Sequence, residues 1–270
     1  MPNPRPELPP FKEFAIGLSM RSGTILMRNF HDRHRINPSK KSRYELVTKS
    51  DTEVDKFVRF KIRQQFPTHN FISEEGKAIN NGSEYTWVCD PLDGTLNYTI
   101  GNPFFSTSLT LLKNDEPIIG VTYAPYTQEM FVAERGRFFR LNERNMKVSK
   151  IGTIQKSVIA FAYFERNKKS REKLLKVWSK FEERAQTMRH FGCTSLELAY
   201  VACGRMEAQI ISPPLRLWDV AAGRLMIEVA GGKVTNFSGK KWEGLEEGLV
   251  CSNGLIHKQV LDILKSNRLT

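Results

Sequence analysis

Apolar residues recur with a helical period near the start of the chain. After Pro9 and Pro10, one stripe of side chains fits a single helix face: Phe11, Phe14, Ala15, Leu18, Ile25 and Leu26. A second stripe, Val54, Phe57, Val58 and Ile62, follows Ser50-Asp51-Thr52-Glu53, which has the S-x-x-E form of a capping box. The pattern predicts two helices, with Ser50 as the cap of the second and Asp51 in its first turn.

Short apolar runs separated by turn residues replace this pattern in the middle of the chain. They predict strands at residues 85–89, 106–112, 118–123 and 130–133. Further on, strands at residues 158–162, 207–211 and 248–252 alternate with helices near residues 171–184, 195–203, 218–230 and 256–265. We therefore expect an α/β protein of layered structure with more than one sheet. The only candidate linker is the polar stretch from His31 to Arg43.

Composition narrows the class of protein. Hydrophobic residues form 40% and charged residues 26% of the 270 residues, which is typical of a globular protein and excludes general disorder. No apolar run reaches the roughly 18 residues that a membrane helix needs, and the polar start of the chain lacks the apolar core of a secretory signal. The four cysteines form no C-x-x-C pair, so neither a zinc site nor a disulfide framework is indicated. We expect a cytoplasmic protein with no membrane partner.

The net charge of +12 favours anionic partners, and by itself leaves phosphorylated metabolites, nucleic acid and anionic membranes open. One segment interleaves arginines with Phe138 and Phe139: Arg135, Arg137, Arg140 and Arg144. This pattern could stack on single-stranded nucleic acid, but a half-buried hairpin explains it as well. We expect the hairpin.

Candidate chemistry concentrates in W-V-C-D-P-L-D-G-T-L-N-Y, residues 87–98. Asp90 and Asp93 flank a proline turn after an apolar strand, and Mg²⁺ prefers such hard oxygen ligands, to which the Leu92 carbonyl adds another. The amides of Gly94 and Thr95 could face a phosphate if a helical turn begins there. A surface turn would explain the D-P-L-D-G-T hexapeptide equally well in isolation.

Three further acids strengthen the metal interpretation. Glu74 and Glu75 end an apolar run that starts at Phe71, and Asp219 lies where a helix begins in L-W-D-V-A-A-G. Each acid alone has an ordinary explanation as a loop or helix-terminal residue. Those explanations do not predict the whole set.

Together, I-S-E-E at residues 72–75, the 87–98 segment and L-W-D-V-A-A-G at residues 217–223 resemble the inositol monophosphatase family. This family lies within the lithium-sensitive and fructose-1,6-bisphosphatase-like phosphatases. The resemblance covers nearly the whole chain. It implies an α-β-α-β-α sandwich that forms one catalytic unit over residues 1–270. Its two halves, about 1–150 and about 151–270, carry the D-P-L-D-G-T and W-D motifs, and the protein is expected to be a homodimer.

The resemblance also assigns roles to individual residues. Its implied metal ligands, for two or three Mg²⁺ ions, are Glu74, Asp90, the Leu92 carbonyl, Asp93 and Asp219. Its implied catalytic residues are Asp51 and Thr95, which orient the attacking water, and Glu74. Its implied substrate-binding residues are Asp93, Gly94, Thr95, Thr194, Ser212 and Asp219.

The implied reaction is hydrolysis of a small phosphorylated metabolite. Metal ions would neutralise the phosphate and lower the pKa of a water, and Thr95 hydrogen-bonded to ionised Asp51 would assist as a base. No histidine lies near a serine or cysteine motif, so direct in-line attack by water is expected instead of a covalent intermediate.

The substrate stays open at this point. Inositol-specific members usually carry a glutamate seven residues before the W-D aspartate, where this chain has Ser212. The string Ser212-Pro213-Pro214-Leu215-Arg216 is closer to archaeal-type members, several of which also accept fructose 1,6-bisphosphate. Histidinol phosphate and nucleotide 3'-phosphates are further alternatives. A basic nucleic-acid-binding scaffold would be expected to lack a metal carboxylate, whereas all five implied acids are present, so no nucleic-acid partner is expected.

Overall fold

The computed structural model describes residues 11–30, 38–40, 46–163 and 168–266. Within these ranges the α-helices are α1 Phe11–Phe30, α2 Lys49–Gln65, α3 Thr95–Ile100, α4 Lys168–Glu182, α5 Thr194–Ala202, α6 Leu217–Val229 and α7 His257–Ser266. The strands are β1 Ser39–Lys40, β2 Leu46–Val47, β3 Asn70–Ser73, β4 Tyr85–Asp93, β5 Ser106–Lys113, β6 Glu116–Ala124, β7 Glu129–Glu134, β8 Phe138–Leu141, β9 Arg144–Asn145, β10 Val158–Tyr163, β11 Thr187–Arg189, β12 Ala208–Ser212, β13 Lys233–Asn236 and β14 Leu249–Ser252.

Two large sheets and three helical layers form the molecule. The first sheet has seven strands in the order β3-β4-β5-β6-β7-β8-β9, and the second has five in the order β11-β10-β12-β14-β13. Helices α1 and α2 pack on β4, β5 and β6, α5 and α6 contact both sheets, and α4 and α7 pack on the second sheet. The α-β-α-β-α sandwich expected from the resemblance is confirmed.

The second sheet is covered by helices on both of its faces. Along β10, Ile159 and Phe161 pack with residues of α4 and α7, whereas Ala160 and Ala162 pack with residues of α5 and α6. Side chains of a strand point alternately to opposite faces, so a sheet covered twice needs apolar residues at every position. This explains the unbroken apolar run at residues 158–162.

Small residues bring α6 close to its neighbours. A Cβ atom on Gly120 of β6 would lie 3.0 Å from the Ala222 Cα, and one on Gly223 would lie 2.3 Å from the Leu198 Cβ. The A-A-G part of the L-W-D-V-A-A-G motif therefore lets α6 pack tightly between α5 and the first sheet. This packing sets the position of Asp219, which lies in the first turn of α6.

One local prediction is wrong. The capping box of α2 is formed by Thr48 and Asp51, not by Ser50 and Glu53: the Thr48 hydroxyl accepts from the Ser50 and Asp51 amides, and Asp51 accepts from the Thr48 amide. The Ser50 hydroxyl is buried and meets Asn29 and the Tyr98 hydroxyl instead. The helix therefore begins earlier than the S-x-x-E pattern indicates, although Asp51 does lie in its first turn.

The structure bears on four other features of the sequence. The arginine-aromatic segment is a hairpin in which β8 pairs with β7, and Phe139 is buried. All four cysteines are buried and free. None of the helices in the described part of the chain is long and apolar enough to cross a membrane. The candidate linker at residues 31–43 lies mostly outside the described residues, and its described part, β1, pairs with β2.

Candidate active site

Asp51 is held rigidly at the start of α2. Its carboxylate is 1% exposed, and Oδ2 accepts from the Thr48 amide at 2.8 Å and from the Thr48 hydroxyl. The other oxygen, Oδ1, lies 3.3 Å from the Thr95 hydroxyl. Burial raises the pKa of Asp51 to about 6, the charge of Glu75 adds to this, and the bonds from Thr48 oppose it. Above that pH, Asp51 is an ionised acceptor beside Thr95.

The turn that carries Asp90 and Asp93 is an irregular end of β4. The pairing register with β5 shifts between these two residues, so the regular backbone ladder is interrupted there. Asp90 is 1% exposed, and its Oδ1 accepts from the Leu92 amide at 3.0 Å. Gly94 then takes a left-handed φ of 85° before α3, and a Cβ there would lie 2.9 Å from the Phe104 carbonyl oxygen. Only glycine fits this point.

Thr95 lies between two acceptors. Its hydroxyl is 3.0 Å from the Leu92 carbonyl oxygen and 3.3 Å from Asp51 Oδ1. A hydroxyl has one proton to donate, so it bonds one of these oxygens at a time. If a cation occupied the Leu92 carbonyl, the proton would turn toward Asp51.

Acids from several elements act on one another electrostatically. Burial raises the pKa of Asp90 well above its usual range, and the charges of Glu74, Asp93, Asp219 and Asp51 raise it further. Burial likewise raises the pKa of Asp219, with contributions from Asp93 and Glu74, while the Arg216 charge opposes them. Glu74 follows β3, where its amide donates to the Cys89 carbonyl at 3.4 Å. The five acids that the resemblance implied therefore face a common region.

The second half of the chain contributes to the same region through α5. The amide and the hydroxyl of Ser195 each lie 2.6 Å from Asp93 Oδ2, and the Thr194 backbone also bonds Asp93. Burial still raises the pKa of Asp93 despite these bonds. Asn97 of α3 adds a second link, donating to the Phe191 carbonyl at 2.6 Å. The candidate site is thus built from both halves.

A comparison with known protein families identifies the family of the chain. The profile of the inositol monophosphatase family matches residues 7–268. The chain belongs to the inositol monophosphatase family. The resemblance based on the three motifs is thereby confirmed.

Individual relatives match this chain over most of their lengths. The fructose-1,6-bisphosphatase/inositol-1-monophosphatase of Thermotoga maritima is 33% identical over 254 residues, covering 93% of this chain and 94% of that protein. The Nus factor SuhB of Xylella fastidiosa is 31% identical over 230 residues, covering 85% and 83%. The crystal structure of the extragenic suppressor protein suhB from Bartonella henselae superposes with a TM-score of 0.91 at 29% identity, covering 95% of this chain and 99% of that one.

The donor set fits a metal ion, and the inositol monophosphatase family is generally metal-dependent. Buried carboxylates that raise one another's pKa are strongly stabilised as anions by a nearby cation, and the Leu92 carbonyl adds a hard oxygen. Within the described ranges, no three acidic, histidine or cysteine side chains are arranged closely enough to hold a metal ion. The fit of these residues to a metal ion therefore rests on the chemistry of their oxygen atoms and on the repulsion among their negative charges.

Some of the predicted substrate-binding residues lie next to the acids, and one other, within the described part of the chain, makes no hydrogen bond that ties it to the site. Thr194 begins α5 and is 6% exposed beside Asp93, and Gly94 precedes α3. Ser212 ends β12 and is half-buried, and within the described residues its hydroxyl makes no hydrogen bond to the acids. Its part in the site stays a prediction.

Sequence reasoning missed the roles of three residues that support the candidate site. Thr48 fixes Asp51, Ser195 binds Asp93, and Asn97 connects α3 to the Phe191 loop. A threonine directly before a helix was a usable signal for Thr48. Ser195 and Asn97 act across about a hundred residues of sequence, and no local pattern reports such contacts.

Glu197 is a fully buried acid that binds the backbone of the loop at Phe191 and Gly192. It is 0% exposed, Oε1 accepts from the Phe191 and Gly192 amides at 2.8 and 3.0 Å, and Oε2 accepts from Gln209 at 2.6 Å. Burial raises the pKa of Glu197 to about 8, although the backbone bonds oppose it. The folded protein therefore holds a proton here that the unfolded chain releases near a pH of about 4.3.

This difference predicts a pH effect on stability. The contribution of Glu197 to the free energy of unfolding is largest below a pH of about 4.3 and is lost as pH rises to about 8. Wild type should lose about 4 kcal/mol of unfolding free energy through this group between pH 5 and pH 9, roughly 1.4 kcal/mol per pH unit, whereas Glu197→Gln, which cannot titrate, should not show this loss. Urea unfolding from pH 5 to 9 with chelator measures it, and exposed Glu172→Gln is the control. Parallel curves for wild type and Glu197→Gln would contradict the assignment.

Proposed function

We propose that this chain is a magnesium-dependent phosphatase that hydrolyses a small phosphomonoester with water as the nucleophile. The observation that carries the proposal is that buried Asp90 is flanked by four other acids, while Asp51 and Thr95 form an acceptor-hydroxyl pair at the Leu92 carbonyl. We further propose one catalytic unit over residues 1–270, in two halves near 1–150 and 151–270. It would be a cytoplasmic homodimer that acts on a small metabolite, with neither nucleic acid nor membrane as partner.

The metal ligands in this proposal are Glu74, Asp90, Asp93, Asp219 and the Leu92 carbonyl. Two or three Mg²⁺ ions held there would neutralise phosphate charge, lower the pKa of the attacking water and stabilise the departing oxygen. The acids come from elements on both sides of the site. Asp219 on α6 would lie on the side of the leaving group.

Proton transfer is assigned to Thr95 and Asp51. The Thr95 hydroxyl accepts a proton from the attacking water and passes its own proton to Asp51 Oδ1, 3.3 Å away. Burial places the pKa of Asp51 at about 6, so this carboxylate can take up a proton and still be ionised at neutral pH. The bonds from Thr48 to Oδ2 leave Oδ1 directed at Thr95. Glu74 is the third catalytic residue of this proposal.

Phosphate binding is assigned to the start of α3. The amides of Gly94 and Thr95 would donate to the phosphate, since backbone N–H groups at a helix start are free of intrahelical partners. The new bond joins the water oxygen to phosphorus as the ester oxygen leaves on the opposite side. Asp93, Thr194, Ser212 and Asp219 would contact the remainder of the substrate.

A sugar bisphosphate such as fructose 1,6-bisphosphate is the second candidate substrate. Arg216, the N-cap residue of α6, is exposed, and its charge acts on Asp219. A cation at that position suits a second phosphate, whereas Ser212 offers no charged acceptor for vicinal polyol hydroxyls. The name of the Thermotoga maritima relative pairs the same two activities.

The Ser212→Glu variant tests how the substrate is chosen. We expect it to improve kcat/KM for myo-inositol 1-phosphate relative to fructose 1,6-bisphosphate by about tenfold. The new carboxylate would accept from two hydroxyls and repel a second phosphate. Specificity constants for both substrates, on wild type and variant, measure the ratio. An unchanged ratio, or a strong inositol phosphate preference in wild type, would show that Ser212 does not face the substrate.

Metal dependence tests the proposed function itself. Phosphate release should require Mg²⁺, and excess Ca²⁺ should inhibit it, because Ca²⁺ prefers longer bonds and more ligands than Mg²⁺. Titrating Ca²⁺ into the enzyme at fixed Mg²⁺ measures this. Equal turnover with Ca²⁺ alone would contradict a tight octahedral site.

A further inference from the structure

Two buried serine hydroxyls form a chain of hydrogen bonds that leads to the Asp93 carboxylate. Ser195 presents two donors to one carboxylate oxygen, its amide and its hydroxyl each at 2.6 Å from Asp93 Oδ2. The Ser195 hydroxyl also lies 2.9 Å from the hydroxyl of Ser106, the residue that pairs with Asp93 across β4 and β5. Both serines are 0% exposed. The contact joins the first sheet to α5.

The chemistry of the groups fixes the direction of these bonds. An ionised carboxylate only accepts, so the single proton of the Ser195 hydroxyl goes to Asp93. Ser195 must then accept the proton of the Ser106 hydroxyl. Ser106 lies 3.3 Å from the Cys193 sulfur, which can donate weakly in turn. The chain of bonds therefore ends on Oδ2 of Asp93.

We propose that the Ser195 hydroxyl is a positioning group that fixes the rotation of the Asp93 carboxylate and so sets the affinity of the site for Mg²⁺. One donor would leave the carboxylate free to rotate, whereas two donors from the same residue hold one oxygen in place. The other oxygen then has a defined orientation toward the acids. This inference rests on the proposed function, because it assumes that Asp93 is a metal ligand.

Calorimetric titration with Mg²⁺ tests the proposal without relying on turnover. We expect Ser195→Ala to raise the Mg²⁺ concentration at half-saturation by about tenfold, because the backbone donor alone remains. Ser106→Ala should raise it by about threefold, since Ser195 keeps its bond to Asp93. Ser157→Ala is the matched control: that hydroxyl is also 0% exposed and donates to the Thr153 carbonyl at 2.8 Å.

The control separates positioning from general stability. Ser157→Ala should lower the melting temperature as the other variants do, yet leave Mg²⁺ binding unchanged. Wild-type affinity in folded Ser195→Ala, or equal weakening by Ser157→Ala, overturns the proposal. If Ser195→Ala does not fold, Ser106→Ala decides by the same criterion.

Phosphate release measured in parallel distinguishes this inference from the proposed function. Weakened Mg²⁺ binding in Ser195→Ala, with no phosphate released by wild type from any monoester, would overturn the activity and support the positioning role. Magnesium-dependent hydrolysis by wild type, together with unchanged Mg²⁺ binding in Ser195→Ala, would support the activity and overturn the positioning role. Absence of Mg²⁺ binding by wild type would overturn both.

Discussion

Asp93→Ala is expected to lower kcat for phosphomonoester hydrolysis by about 10³-fold or more while leaving the protein folded. Asp93 is assigned to the metal near the leaving group, where negative charge develops in the transition state. Interactions made only in the transition state reduce kcat and kcat/KM together when they are removed. Phosphate release at saturating Mg²⁺, with circular dichroism to confirm folding, measures the effect.

Removal of an exposed acid far from the candidate site tests whether the loss of activity is specific to Asp93. Asp262 is exposed on α7, which packs on the second sheet away from the first, so Asp262→Ala should retain wild-type turnover. Asp93→Asn should be nearly as inactive as Asp93→Ala, because an amide keeps the shape but not the charge. A folded Asp93→Ala variant with near-normal turnover would remove Asp93 from the mechanism.

Asp90→Asn is expected to stabilise the metal-free protein and abolish its response to magnesium. Burial and the charges of the surrounding acids raise the pKa of Asp90 well above its usual range, so ionising it in the folded state is unfavourable. A carboxyl with a raised pKa lowers stability as pH rises, because the unfolded chain releases its proton first. Asparagine does not ionise, and its oxygen can keep the bond from the Leu92 amide.

Thermal unfolding with chelator and then with Mg²⁺ measures both effects. At pH 8 with chelator, Asp90→Asn should exceed wild type by about 1 to 2 kcal/mol, and the gain should shrink toward pH 5. Added Mg²⁺ should raise the melting temperature of wild type and of exposed Asp262→Asn, but not of Asp90→Asn. If Asp90→Asn is less stable than wild type at pH 8 with chelator, or if Mg²⁺ raises its melting temperature as much as that of wild type, Asp90 is not a buried metal ligand.

The parts of the fold that could be predicted are those whose signals are local. The strand that leads into Asp90 is a compact apolar run, and α6 is defined by its helical period, by Asp219 in its first turn and by the glycine pair after it. The α2 cap was misplaced because Thr48 and Ser50 are both good capping residues two positions apart. Burial of Ser50 against Asn29 decides between them, and that contact is tertiary.

The supports of the candidate site could not be predicted for a related reason. Ser195 and Asp93 are 102 positions apart, and they meet because α5 lies between the sheets with its first turn at the end of β4. Nothing in the residues around Ser195 distinguishes it from an ordinary helix-starting serine. The motifs therefore predict a set of acids for the candidate site, whereas the groups that orient these acids emerge only from the packing of the layers.

The most direct test of the proposed activity is phosphate release from a panel of phosphomonoesters, first with Mg²⁺, then with excess chelator, then with Mg²⁺ restored. The panel includes myo-inositol 1-phosphate, fructose 1,6-bisphosphate, histidinol phosphate and a nucleotide 3'-phosphate. We predict release from at least one substrate with Mg²⁺, loss of release with chelator, and recovery when Mg²⁺ is returned. Release that persists undiminished with chelator, or folded protein that releases phosphate from none of the panel at any Mg²⁺ concentration, would contradict the proposal.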